Sequence, residues 1–591
     1  MQTLNLPGSG RRSINWPRGV VVTLAATAIF LPLLLIFYQS FLNAPFFMPA
    51  KELGLDAYQF IFEDPDFSVA FKNALALAAG LTVIAVPLGG MLAFLMIRTD
   101  LPGRGLITPL LLVPIFVSPM VMGFGYVVAM GPVGFYSLWV KDLLGFIPWN
   151  IYSFTSIVVI AGLTHVPHVY LYASSALKSL GSDVEEAARV TGASPLQVMF
   201  NVSLPMVTPA LAYAAVLVFF LGFEVFGLVL VLGDPEGHLV LATYLYKLTN
   251  KLGTPSYHLM AAVAVCLVAV TMPLVMLQRW LLKSANKFVS IKGKGARSKP
   301  MPLGQWKWLA FALIFGWLMI TIIMPLSGIL LRSFVQYWGE GVRLADVLTL
   351  QHFREILEQP ALMRGILNTV LIGVIGGACA VICYCAIALA MHRKPDGITR
   401  FLDYSVLVPR AIPGLLAGLS FLWVFLFVPS WLDGVLKGMD NGVAIWLSEH
   451  AIPLLRSLRS TIFALWLAYS VVWLAYGMRL ISTALLQVGP ELEEAARAVG
   501  ASRGQVTRDV TVPLVKYGLL GAWLMVFLIF EREYSTGVYL LSPGTEVIGA
   551  LLVSLWATGS TDLVAALSFI NITLVAIGLG VALRFGVKLH N

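Results

Sequence analysis

Glu224, Glu531, Arg532 and Glu533 interrupt stretches that are otherwise apolar, LGFEVFG and LIFEREYS. A charged side chain in such a stretch is costly if it faces lipid, so these four are expected to face the interior of a helix bundle, lining a path or a gate. His165 and His168 lie three apart in LTHVPHVYLY and share a helix face. They could be read as a metal pair, but hydrogen bonds to neighbouring helices account for them better. Cys379 and Cys383 sit at i, i+4 in an apolar run, where thiols pack as small hydrophobes. No HExxH, GxSxG or GxxxxGK[ST] occurs, and IKGKGARSK lacks the phosphate-loop spacing. The chain is therefore expected to catalyse nothing, to bind no metal or cofactor of its own, and to leave any ATP chemistry to another polypeptide.

The elements that must position these residues are membrane-spanning helices. The chain has 591 residues, 59% hydrophobic and 12% charged, with mean hydropathy +0.86; soluble domains are about 25% charged. Apolar runs of twenty or more residues exclude a porin-type barrel, whose strands alternate over about ten. Twelve runs are predicted, six before and six after a basic stretch between Lys283 and Lys307. The fold class is all-α integral membrane, divided into a first six-helix repeat (1–284), a basic cytoplasmic linker (285–306) and a second six-helix repeat (307–591). Net charge is +9, from 39 Lys plus Arg against 30 Asp plus Glu. Nucleic acid need not be invoked, because Arg98, Arg104, Lys178, Arg189, Arg400, Arg497, Arg503, Arg508 and Arg584 all fall on one side of the twelve-helix layout. By the positive-inside rule that side is cytoplasmic, and both termini lie there.

Comparing the halves gives one strong match, SALKSLGSDVEEAARVTGASPLQVMFNVSLP against TALLQVGPELEEAARAVGASRGQVTRDVTVP, at a constant offset of 308 residues. Upstream the offset is 295, pairing Asn73 with Asn368, Arg98 with Arg393 and Pro114 with Pro409. The chain is a fused duplication. An even number of spans per half makes the repeat parallel, with a pseudo-two-fold axis along the membrane normal. Each repeated segment reads as a short surface helix with an acidic first turn, a glycine stop at Gly192 or Gly500, and a second short helix before Pro205 or Pro513.

These segments resemble the cytoplasmic EAA motif of permease subunits of binding-protein-dependent type I ABC importers: E-A-A, three residues, G, nine residues, then I-x-L-P. Glu186, Ala187, Ala188, Gly192, Val202, Leu204 and Pro205 follow the pattern, and Glu494, Ala495, Ala496, Gly500, Val510, Val512 and Pro513 follow it with valine for leucine. The resemblance covers both halves and implies a MetI-like fold. It also implies that Glu185, Glu186, Ala187, Ala188, Gly192, Ala193 and Glu493, Glu494, Ala495, Ala496, Gly500, Ala501 form two coupling helices. Each would enter a groove on an ATPase subunit, so two copies of that subunit, carrying ATP and Mg, are implied as partners. A periplasmic substrate-binding protein is implied on the outer face, over loops near 43–67, 332–364 and 429–459. The location implied is the bacterial inner membrane, as a multi-pass protein in contact with lipid.

EREYSTGVYLLSPGTEVIG and FEVFGLVLVLGDPEGHLVLATYLY further resemble fused two-half permeases assigned to ferric iron, relatives of which carry polyamines, thiamine or phosphonates. The carboxylates of Glu224, Glu531 and Glu533 suit ferric iron and polyamine alike. An ion-coupled secondary transporter is the alternative class, but it would favour inverted repeats. Adding 308 to 224 gives Arg532, so the duplication sets an acid opposite a base, expected to pair near the axis. Counted from Pro209, Glu224 should lie about 22 Å into a core about 30 Å thick.

Overall fold

The computed structural model describes residues 16–45, 48, 51–179, 183–250, 256–285, 300–392, 396–439 and 441–584. Within them the backbone is helical apart from turns and isolated bridges, because a chain this apolar can satisfy its N–H and C=O groups in lipid only within itself. Among the described residues ten helices are long and apolar enough to cross a membrane, or up to 13 if three pairs bent by 72–76° are each taken as one span. Most of the basic linker, Arg393 and the extreme termini lie outside the described residues.

The duplication is visible element by element. Asp56–Glu63 and Pro65–Arg98 are matched by Gln351–Glu358 and the helices from Pro360 to Met391. Even a local irregularity recurs: π-helical turns occupy Met199–Ser203 and Val506–Thr511. Both stand just before a proline, Pro205 or Pro513, as does a third at Met319–Ile323 before Pro325. Proline lacks the N–H for the normal ladder and crowds the preceding turn, so the helix widens there. In a fourth wide turn, Ile372–Gly376, the carbonyls of Val374 and Gly376 accept from the indoles of Trp523 (2.9 Å) and Trp466 (2.8 Å).

The halves interlock. The first helix, Trp16–Ser40, packs on Gly377–Met391 and Gly414–Lys437 of the second half, and its Ala25 and Ile29 join that half's core. Reciprocally, Met324–Ser333 packs on Pro119–Met130 of the first half. The approach is close because the contact is glycine: a Cβ on Gly125 would lie 2.7 Å from the Pro325 carbonyl oxygen, and one on Gly328 would lie 2.8 Å from Ala129 Cβ.

Several helices end where the sequence predicts continuous spans. Thr208–Glu224 stops at Glu224, and the chain restarts as Gly227–Gly233. Val512–Arg532 stops one residue before Glu533. The run predicted from Leu402 to Val428 is divided by a 3₁₀ turn at Val408–Ala411 before Gly414–Lys437 begins, and Arg104–Phe116 is separated from Pro119–Met130 by the non-helical pair Val117 and Ser118. Hydropathy does not see these breaks because the residues at them are mostly as apolar as the helices they interrupt.

Candidate functional site

The two repeated segments fold alike. Asp183–Val190 and Pro490–Ala498 are short helices, each closed by a glycine at φ +92°, Gly192 or Gly500. Ala193 N–H donates to the Ala188 carbonyl at 3.1 Å and Gly192 N–H to that of Arg189 at 2.9 Å. In the second copy Ala501 donates to Ala496 at 3.1 Å and Gly500 to Arg497 at 3.0 Å. This is the Schellman turn, which favours a residue without Cβ at its left-handed position. Ser194 and Ser502 then open the next helix with capping boxes completed by Gln197 and Gln505.

The paired glutamates have different surroundings. Glu186, Glu494, Ala187 and Ala495 are exposed, whereas Ala188, Ala496, Ala193 and Ala501 are half-buried. Glu185 and Glu493 turn inward and are buried. Glu185 pairs with buried Arg98 at 3.1 Å and accepts from Ser203 Oγ at 2.7 Å, while Arg98 also donates to the Leu177 carbonyl at 2.8 Å. In the second half Glu493 accepts from Thr511 Oγ1 and lies against His392 Nε2, each at 3.1 Å. Each first glutamate thus ties its surface helix to the π turn that follows and to the end of the half's second span. Glu185 and Glu493 were expected with Glu186 and Glu494 on the coupling helices; that they turn inward onto Arg98 and His392 was missed.

Each anchor is gripped in turn by the opposite half. Met301, which leads into the second half, donates to the Arg98 carbonyl at 2.8 Å, and Asp100 Oδ1 accepts from Leu303 N–H at 2.8 Å. Across the molecule Arg18 donates to Ala390 O (2.9 Å), to both oxygens of Asp396 (2.5 and 2.8 Å) and to Thr399 Oγ1 (2.9 Å). The Arg18 guanidinium holds the Asp396 carboxyl well below the usual carboxylate range. A depressed carboxylate contributes above its unfolded pKa and is lost only as pH falls through its folded one, so the clamp persists at neutral pH. Arg18→Ala is expected to lower transport severalfold, with Arg18→Lys recovering part of it; unchanged uptake by Arg18→Ala would show that the clamp is only a fastening.

The helix breaks converge on a second cluster. Phe226 and Tyr534, counterparts at the 308-residue offset, stack with centroids 6.1 Å apart and planes 3° from parallel. Gly227 N–H donates to Tyr534 Oη at 3.0 Å, so the pseudo-two-fold axis passes here. Arg532 does not pair with Glu224 as expected. Its Nη1 donates to the carbonyl of Ile115, near the end of Arg104–Phe116, and its guanidinium sits 5.5 Å from the Trp473 ring centroid. Both helices terminate at these residues, and the terminal carbonyl takes the donor that a continuous helix would have left for the acid.

Arg410 and Arg479 were missed, though each interrupts an apolar run, the same signal that marked Glu224. The Arg410 guanidinium lies 5.5 Å from the Phe220 centroid and 5.9 Å from that of Trp473. Arg479, exposed, sits beside the phenols of Tyr172 and Tyr213 from the first half. The charges whose fields reach Glu224 are Arg410, Glu533 and Arg532. Glu533 Oε1 accepts from the amides and hydroxyls of Ser535 and Thr536, and Oε2 accepts from Trp473 Nε1 at 2.8 Å. Glu531 points elsewhere, as its helical angle from Glu533 predicts. It packs on Gly373, and among the described residues neither of its oxygens has a hydrogen-bond partner. His165 bonds the Ala161 carbonyl at 2.7 Å and stacks on His168, and among the described residues no group of three or more His, Cys, Asp or Glu is placed to hold a metal.

Residues 85–287 and 380–589 match the family profile described as binding-protein-dependent transport system inner membrane component. The ferric transport system permease protein FbpB of Actinobacillus pleuropneumoniae is 23% identical over 544 residues, covering 90% of this chain and 72% of its own length. The sulfate transport system permease protein CysW of Escherichia coli K12 is 29% identical over 289 residues, 47% of this chain and 92% of its own length. Among solved structures, a bacterial alginate ABC transporter in complex with an alginate pentasaccharide-bound periplasmic protein has a chain 20% identical, with a TM-score of 0.37, covering 46% of this chain and 94% of that one.

Proposed function

The chain belongs to the inner membrane components of binding-protein-dependent transport systems, and from that membership we propose that it forms the whole membrane pathway of an ATP-driven importer for ferric iron. That it is a permease of such an importer follows from the family, present twice over most of the chain. Iron is the reading favoured by the relative that matches 90% of the chain. The proposed layout is two six-span repeats, 1–284 and 307–591, joined by the linker at 285–306, with each broken helix taken as one crossing and both termini in the cytoplasm of a bacterium.

The observation that carries the partner assignment is the repeated helix with its Schellman turn, built twice in one chain and anchored twice by a buried glutamate. Two such helices call for two ATPase subunits, which would hold the ATP and Mg. The exposed faces at Glu186–Ala187 and Glu494–Ala495 would be the contact, alongside an open groove of about 420 Å³ lined by Ala188, Thr191, Gly192 and Gln197. A periplasmic binding protein would deliver substrate to the opposite end. The complex purified from its native membrane is expected to contain two ATPase subunits per chain by native mass spectrometry; one per chain would overturn the assignment.

The pathway would run along the axis, through the cluster of Glu224, Arg410, Arg532, Glu533 and Trp473. The Phe226–Tyr534 stack would close its far end, whereas Tyr476 and Arg479, towards the repeated helices, are exposed.

A further inference from the structure

We propose that the axial pathway selects a passenger that presents negative charge, an oxyanion or an anionic chelate of ferric iron, and that Arg410, Arg479 and Arg532 form its binding ladder. The proposal rests on the importer reading and narrows it to a substrate class. Three guanidiniums reach the space between the halves. Trp473, Tyr476 and Arg479 follow one another at i, i+3 and i+6 along Leu474–Leu485 and its N-cap, so Arg479 lies about 9 Å nearer the repeated helices than Trp473. Arg410 and Arg532 flank Trp473 at the level of the breaks. Among the described residues none of the three forms an ion pair.

What opposes them is Glu224 and Glu533. Glu533 Oε1 is already taken by four donors and Oε2 by the Trp473 indole. It has little capacity left to ligate a passing cation. Glu531, the third carboxyl expected to serve one, faces Gly373 and not the axis. A bare trivalent cation or a polyamine would therefore meet one available carboxylate and three arginines. An anion would meet three donor forks with N–H groups to spare: among the described residues the only protein acceptor of the Arg532 guanidinium is the Ile115 carbonyl, the Arg410 guanidinium makes only ring contacts, and that of Arg479 bonds the phenols of Tyr172 and Tyr213. Arginine-lined constrictions select anions for the same reason: fixed positive charge in a low-dielectric wall concentrates the opposite sign and rejects its own. The rings of Trp473 and Phe220 hold the Arg410 and Arg532 guanidiniums, and the phenols of Tyr172 and Tyr213 that of Arg479, without neutralising them.

The test uses cells carrying the complete transporter and four radiolabelled probes: ferric iron supplied with labelled citrate, phosphate, sulfate, and spermidine. Joint accumulation of iron and citrate would identify a chelate, and accumulation of phosphate or sulfate alone a free oxyanion. Either supports the proposal if Arg410→Gln and Arg479→Gln each cut that uptake roughly tenfold or more while the variant still copurifies with its ATPase subunits, and if lysine at the same positions restores part of it. Iron entering without its anion label, accumulation of spermidine, or full anion uptake by both glutamine variants would overturn it. Loss of ATP-dependent accumulation for every probe would instead strike the importer reading beneath it.

Discussion

Glu185→Ala is expected to abolish uptake, with a loss far larger than that from any exposed residue of the same helix. The substitution leaves Arg98 buried without its carboxylate and frees Ser203 Oγ; removing one partner of a buried pair costs about 3–5 kcal/mol. Because Arg98 ends the second span and Ser203 ends the π turn, the helix Asp183–Val190 would no longer transmit movement to either. Glu185→Gln keeps an acceptor for Ser203 and should fall between alanine and wild type. Glu186→Ala or Glu186→Lys, on the exposed face, should leave the permease folded and weaken only ATPase contact. Gly192→Pro should match Glu185→Ala in severity, because proline is held near φ −65° and cannot adopt +92°. The readouts are uptake and substrate-stimulated ATP hydrolysis of the reconstituted complex. Wild-type uptake by Glu185→Ala would show that the buried pair carries no force.

Much of this was legible in the chain because its signals are local. The repeated glycine, the acidic first turn and the prolines before the spans report on backbone geometry within a few residues, and they came through in both copies. The apolar runs gave the spanning elements because burial in lipid acts on each run separately. What stayed hidden depends on partners distant in sequence. Glu185 looks like any acidic residue in a first helical turn until Arg98, 87 positions earlier, is brought beside it. The exchange of first helices leaves no mark in hydropathy, since Ala25 and Ile29 are apolar whichever core receives them. The offset rule paired Glu224 with Arg532 correctly as counterparts, but counterparts across a two-fold axis need not touch. Each instead meets what lies beside its own break: Ile115 for Arg532, and the field of Arg410 for Glu224.

Tyr534→Ala is expected to raise basal ATP hydrolysis of the complex in the absence of binding protein and to depress uptake. On the proposed pathway the side chain would close the far end in two ways, by stacking on Phe226 and by accepting the Gly227 amide. An aromatic pair contributes roughly 0.5–1.5 kcal/mol beyond its buried area and a hydrogen bond about 1 kcal/mol. Losing both shifts the balance between closed and open ends by about 2 kcal/mol, or roughly thirtyfold. A permease that opens that end without its binding protein should spend more time in the state that engages the ATPases, so hydrolysis no longer waits for substrate. Tyr534→Phe keeps the stack and loses only the hydrogen bond, so its effect should be several times smaller. Arg532→Gln should behave like Tyr534→Ala if the Ile115 contact belongs to the same closure, because an amide bonds that carbonyl less strongly than a guanidinium. Glu224→Gln should do less, since Glu224 contributes a field and not a bond. Basal hydrolysis and uptake both at wild-type levels in Tyr534→Ala and Arg532→Gln would mean that these contacts only pack the two halves together, and that closure at the far end is made elsewhere.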